Sequence, residues 1–213
     1  MLQTTVRPGI TAVRPGLTAA ERIATVERWV VRQLGSCRHE RQVVGIATRL
    51  FDLTARLHGL PPFCRRFLRI GALVHDVGRI GGAAGHHVRG ARMVVRNHAL
   101  PLSAEERQAA AFLTRFHRKR PPTKRNIREW TDNNAQVGVL RKLLAIFRAA
   151  DALDSRRLTA QGLTMRLDGR RLRVRCFVDG DRAAAGRAFD KKRKFQMLQE
   201  VLGLSVKVQI RGY

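Results

Sequence analysis

The apolar residues of this chain keep a helical period as far as Leu153 and a strand period after Ser155, and that change constrains the fold more than any other feature. The first region reads as a series of helices. Thr18-Ala19-Ala20-Glu21 is a capping box for a helix that ends near Leu34, where Gly35-Ser36 follow. Val43, Ile46, Leu50, Leu53 and Leu57 form one stripe on a helix predicted from about Arg38 to Leu57, with His39 on the same side and Gly59 as the stop. Pro61-Pro62 open the next helix, which ends at His75-Asp76. A glycine-rich turn, Gly78 to Gly85, leads to a helix that His86-His87 begin and that runs to about His98. On it Ala91, Val94, Val95 and His98 share a face with His87. Ser103 and Glu106 form a second capping box, and the stripe Ala109, Ala110, Leu113, Phe116 brings His117 inward before an exposed basic loop from Arg118 to Arg128. The long helix from Asn134 to Leu153 carries Val137, Leu140, Leu144 and Phe147.

Beyond Ser155, residues 163–167 and 172–178 alternate and are joined through Asp168-Gly169, a hairpin signal. A basic helical stretch from about Arg182 to Leu202 ends at Gly203, and Val206, Val208 and Ile210 alternate as a last strand. The expected fold class is therefore mainly α. A helical bundle over 18–157 carries a small C-terminal α+β appendage (hairpin, helix, strand) over 158–213. Residues 1–17, with VRPGIT and VRPGLT in tandem, read as a flexible basic tail.

Hydrophobic residues at 44% are enough for a real core, and a formal charge of +26 gives a surface that attracts polyanions. Cys37, Cys64 and Cys176 are scattered and odd in number, which favours reduced thiols packed as small apolar groups. No apolar run approaches a bilayer span and no signal-peptide core is present, so no membrane partner and a cytoplasmic location are expected.

Several inward-facing positions carry residues that suit a metal rather than a core. Asp151 is the next member of the Leu140–Phe147 stripe, where an unpaired carboxylate is costly to bury. An arginine partner or exposure at the helix end would relieve it, and a metal ion would relieve it better. Collected, the set is His39, His75, Asp76, His87, His117 and Asp151, on five helices. His58 reads as a helix-end residue without a chemical role.

The order His, His-Asp, Asp resembles the HD-domain superfamily, so the bundle is expected to be HD-domain-like. His39, His75, Asp76 and Asp151 match its four core metal ligands. His87-Val88-Arg89-Gly90-Ala91 resembles the H-x-x-G-A that opens the following helix, and His87 and His117 fall where dinuclear members place further histidines. RLFDLTARLHGL, ALVHDVGRIGG, GHHVRGARMVVRN, FHRKRPP and RAADALDS are similar to the C-terminal half of the exopolyphosphatase/guanosine pentaphosphate phosphatase family, a likeness covering roughly residues 18–213. Two departures stand out: Arg89 replaces a histidine frequent in that family, and the family's actin-like domains have no counterpart in these residues.

The resemblance implies one or two divalent ions (Mn²⁺, Mg²⁺ or Fe²⁺) and a phosphohydrolase acting on polyphosphate or a phosphorylated guanosine nucleotide. Asp76, His87 and His117 would be catalytic, and Arg79, Arg89, Arg118 and Lys119 would contact phosphate. The alternative is a non-catalytic module that binds polyphosphate or RNA through Arg89, Arg92, Arg96, Arg118 to Arg128 and Lys191 to Lys194. The resemblance also implies a homodimer.

Overall fold

A computed structural model describes residues 16–154, 160–178, 182–189 and 193–212. It is mainly helical, with a small three-stranded sheet at the C-terminal end. The tandem VRPG repeat lies almost wholly outside the described residues, as do Lys191 and Lys192.

Helix α1 (Ala19–Leu34) starts at a full capping box, with Thr18 and Glu21 each satisfying the other's backbone N–H, and ends at Gly35 in the left-handed region. Helix α2 spans Arg38–Leu53, shorter than its apolar stripe suggests. The buried Thr54 hydroxyl donates to the Leu50 carbonyl at 2.7 Å, and the chain re-enters a single helical turn, α3 (Ala55–His58). His58 is structural: its Nε2 donates to the Phe51 carbonyl, and its Nδ1 accepts from the Leu60 N–H. Helix α4 (Cys64–Val74) leads into a 3₁₀ turn (Val77–Gly81), so the glycine-rich segment begins as a helical turn.

Helix α5 runs from His86 to Arg96. It stops before His98, which is exposed, and Val95 is also 45% exposed, so the inner face of α5 is narrower than expected: Ala91 and Val94 point in, Val95 and His98 do not. Helix α6 (Ala104–Phe116) opens on the second capping box, Ser103 with Glu106. The basic loop after it contains a short helix, α7 (Lys124–Arg128), pinned by buried Ile127. Helix α8 spans Asn134–Leu153.

Strands β1 (Ala160–Asp168) and β2 (Arg171–Val178) form an antiparallel hairpin, and β3 (Ser205–Gly212) pairs parallel to β2. Two helices rather than one make the crossover, α9 (Arg182–Phe189) and α10 (Arg193–Leu202). The inner face of the sheet (Met165, Leu172, Val174, Cys176) and α10 (Phe195, Leu198) share one apolar cluster with α2, α4, α6 and α8. A second cluster joins α1, α4, the 3₁₀ turn, α5 and α6. All three cysteines are unpaired and buried, and burial pushes the Cys64 and Cys176 thiols up to about 11. Among the described residues, no helix is long and apolar enough to cross a membrane.

Candidate metal centre

Five helix ends converge where α4 gives way to the 3₁₀ turn. His75 and Asp76 follow α4, His86 opens α5, His117 closes α6, His39 sits in the first turn of α2, and Asp151 lies near the end of α8. The close approach of turn to helix depends on glycine. A Cβ on Gly78 would sit 2.1 Å from the His86 carbonyl oxygen and 2.5 Å from the Gly90 nitrogen, so only glycine lets the turn lie against α5.

The imidazoles are oriented from behind. His75 Nδ1 donates to the Ala72 carbonyl (2.7 Å), His86 Nδ1 to the Ala83 carbonyl (2.8 Å) and His117 Nδ1 to the Thr114 carbonyl (2.7 Å). His39 Nδ1 donates to the Asp154 carboxylate at 2.5 Å. Since these acceptors can only accept, the Nδ1 proton is fixed and a neutral ring leaves Nε2 bare. All four Nε2 atoms then point inward. His39 Nε2 lies 3.2 Å from His75 Nε2, and His86 Nε2 lies 3.2 Å from His117 Nε2.

Asp76 stands between the two pairs. Its Oδ1 is 3.1 Å from His86 Nε2 and 3.7 Å from His117 Nε2. Its Oδ2 is 3.8 Å from His75 Nε2 and 3.9 Å from His39 Nε2, and accepts from Arg79 Nε at 2.7 Å. Asp151 Oδ1 adds a second carboxylate, 3.6 Å from His75 Nε2 and 3.7 Å from His39 Nε2. Two donor groups result, His39/His75/Asp76 and Asp76/His86/His117, with ligand atoms within 4.8 Å of one another in each.

Burial, the leading cause, holds the His117 imidazole well below its ordinary value and lowers that of His86. The neutral His86 and His117 rings thus turn lone pairs toward each other and toward the Asp76 carboxylate. Lone pair against lone pair repels, and a cation between them reverses the sign of every contact. The donor set therefore fits a divalent ion: mixed imidazole and carboxylate, buried, with the second nitrogen of each ring held by a carbonyl or carboxylate.

The structure brings His39, His75, Asp76, His117 and Asp151 together. His87 does not join the group expected of it, because its neighbour His86 holds that position: α5 begins at His86, whose Nε2 lies 3.1 Å from Asp76 Oδ1. The buried His87 ring lies alongside, its centroid 5.8 Å from that of His86 and 6.5 Å from that of His117. Burial lowers its basicity first, then the nearby Arg115, His86, Lys119 and Arg118.

Arg89 is not turned outward for phosphate. Its Nε donates to the Gly78 carbonyl at 2.7 Å and its Nη2 to the Gly82 carbonyl at 2.6 Å, so it braces the turn. Arg118 and Lys119 are exposed just past His117. Besides His86, two residues escaped the sequence reading. Asp154 orients His39, and Arg148 donates to the carbonyls of Phe116 (2.7 Å), Arg118 (3.4 Å) and Lys119 (2.6 Å), fixing the chain reversal after His117. The spacing of Asp154, three residues after Asp151, was the available signal for the first; Arg148, one of three basic residues on a mostly apolar helix, gave none.

Comparison with protein-family models and with curated proteins finds no match for this chain.

Proposed function

We propose that the protein is a metal-dependent phosphohydrolase of the HD type, acting on polyphosphate or a phosphorylated guanosine nucleotide. One observation carries this reading: the Nε2 atoms of four histidines converge on both oxygens of a single buried aspartate. The resemblance of the His, His-Asp, Asp order to HD proteins supports it. His39, His75, Asp76 and Asp151 would hold one ion, and Asp76, His86 and His117 would hold a second. A divalent cation there supplies Lewis-acid polarisation of a phosphoryl oxygen and activates water for attack.

The residues do the rest. Asp151, the most exposed member with a side chain 26% accessible, marks the open side of the cluster. Arg79 fixes the Asp76 carboxylate and, at 31% exposure, faces an arriving anion. His87, whose basicity is lowered by burial and by Arg115, His86, Lys119 and Arg118, would contact the substrate through a ring N–H hydrogen bond to a phosphate oxygen. Arg118 and Lys119 neutralise the phosphate chain, and the excess positive charge draws it in. That same charge favours the second reading, a polyanion-binding module in which the His-Asp cluster is structural.

The test is phosphate release from polyphosphate and guanosine pentaphosphate with Mn²⁺ or Mg²⁺, beside a His75→Ala/Asp76→Ala variant. Release that requires metal and vanishes in the variant is expected. No release, with equal salt-sensitive polyphosphate binding by both proteins, would establish the binding module instead.

A further inference from the structure

The outer face of the sheet carries a charge pattern that the metal centre does not use. Alternation puts Thr164, Arg166 and Asp168 of β1, Arg171, Arg173 and Arg175 of β2, and Ser205, Lys207, Gln209 and Arg211 of β3 on the side away from the core. The strand register aligns them in rows. Arg166 lies opposite Arg173, which lies opposite Lys207, so three cations stand abreast on three neighbouring strands. The six cations of this face are all exposed. Among the described residues one carboxylate pairs with any of them, Asp168, 3.2 Å from Arg173 Nε.

Like charges directly opposite one another destabilise a sheet. A fold has no use for three of them in one row. Strands about 4.8 Å apart, with outward residues about 6.7 Å apart along each, make this face a flat lattice of guanidinium forks. We propose that it binds the phosphodiester backbone of a nucleic acid. Arginine offers phosphate two parallel N–H donors, and Thr164, Ser205 and Gln209 among the cations are further donors of the kind that contact phosphate and sugar. The only aromatic side chain in these rows, Phe177, is half-buried, so base stacking is not provided and the binding is independent of sequence. A second copy of the same face is excluded as occupant by its own charge.

This site is independent of the metal centre and is tested apart from it. Binding of a short DNA duplex would be measured against salt for the wild type, for Arg166→Gln/Arg173→Gln/Lys207→Gln, and for Arg32→Gln/Arg49→Gln/Arg56→Gln. The last removes the same charge from exposed arginines of the helical body. The sheet variant should bind roughly tenfold more weakly or worse, and the slope of log K on log salt should shrink by about 2.7. The helical variant should change far less. The sheet variant should melt no lower than the wild type, since it removes repulsion, which separates lost binding from lost folding. Equal weakening in the two variants, or none in either, would overturn the proposal. So would a sheet variant that loses inorganic polyphosphate binding while keeping the duplex.

Discussion

Two buried carboxylates, Glu106 and Asp76, sit in the same helical body and do different things. Glu106 is fully buried and ringed by donors and cations: one oxygen accepts from the Ser103 N–H at 2.8 Å and from the Arg22 guanidinium, and Arg66 Nε stands 2.5 Å from the other as an ion pair out of hydrogen-bond alignment. It ties α1 and α4 to the start of α6, and the site is closed. Asp76 is nearly as hidden, with Arg79 on one oxygen, yet it also faces the Nε2 atoms of four histidines whose Nδ1 atoms are engaged elsewhere. Burial alone does not distinguish structure from site. The distinction is whether the groups around a carboxylate bring protons or lone pairs.

The sharpest way to break this contrast is to remove each carboxylate in turn. Glu106→Ala strands two arginines in partly buried positions and should cost about 3–5 kcal/mol in denaturant unfolding, with no rescue by metal. Asp76→Ala should cost less in metal-free protein, because the arginine it leaves behind, Arg79, is 31% exposed and can turn to solvent. Next in size, Mn²⁺ at about 100 times its Kd should stabilise the wild type by about 2.7 kcal/mol and leave Asp76→Ala unmoved. An equal shift in both would place the ion elsewhere.

Asp154→Ala tests orientation rather than ligation. Without its acceptor the His39 ring is free to turn, and metal affinity should fall about 10–100-fold in calorimetric titration. Asp154→Asn, whose amide oxygen can still accept from Nδ1, should recover part of it. The smallest effect is on pH. His86 and His117 have basicities lowered in the fold, from an ordinary value of 6.5, so the unfolded chain binds more protons below that value. Metal-free stability should therefore be flat above about pH 6.5 and fall as pH drops below it. A melting midpoint that stays constant from neutral pH down to about pH 5 would contradict the neutral-ring assignment.

The sequence made some of this legible and not the rest, for physical reasons. Capping boxes at Thr18 and Ser103 and the bounds of α8 follow from local chemistry, and each is present in the fold. The stripe on α8 brought Asp151 to the right side because a helix of that length keeps its period. His86 and His87 defeat the same logic. Adjacent residues at a helix start differ by a large turn about the axis, and packing of the 3₁₀ segment on α5 decides which ring meets Asp76. Asp154 and His39 are 115 residues apart, so their pairing is purely tertiary. On the sheet, alternation was plain, but the parallel pairing of β3 with β2 that aligns Arg173 with Lys207 belongs to the crossover and not to any local signal.

The most direct measurement of the central claim is metal stoichiometry: Mn²⁺ bound per chain after equilibrium dialysis, for the wild type, Asp76→Ala and His86→Ala/His117→Ala. Two ions in the wild type, one in the histidine double variant and none in Asp76→Ala is the predicted result. Less than one ion per wild-type chain, or equal uptake by all three proteins, would contradict it.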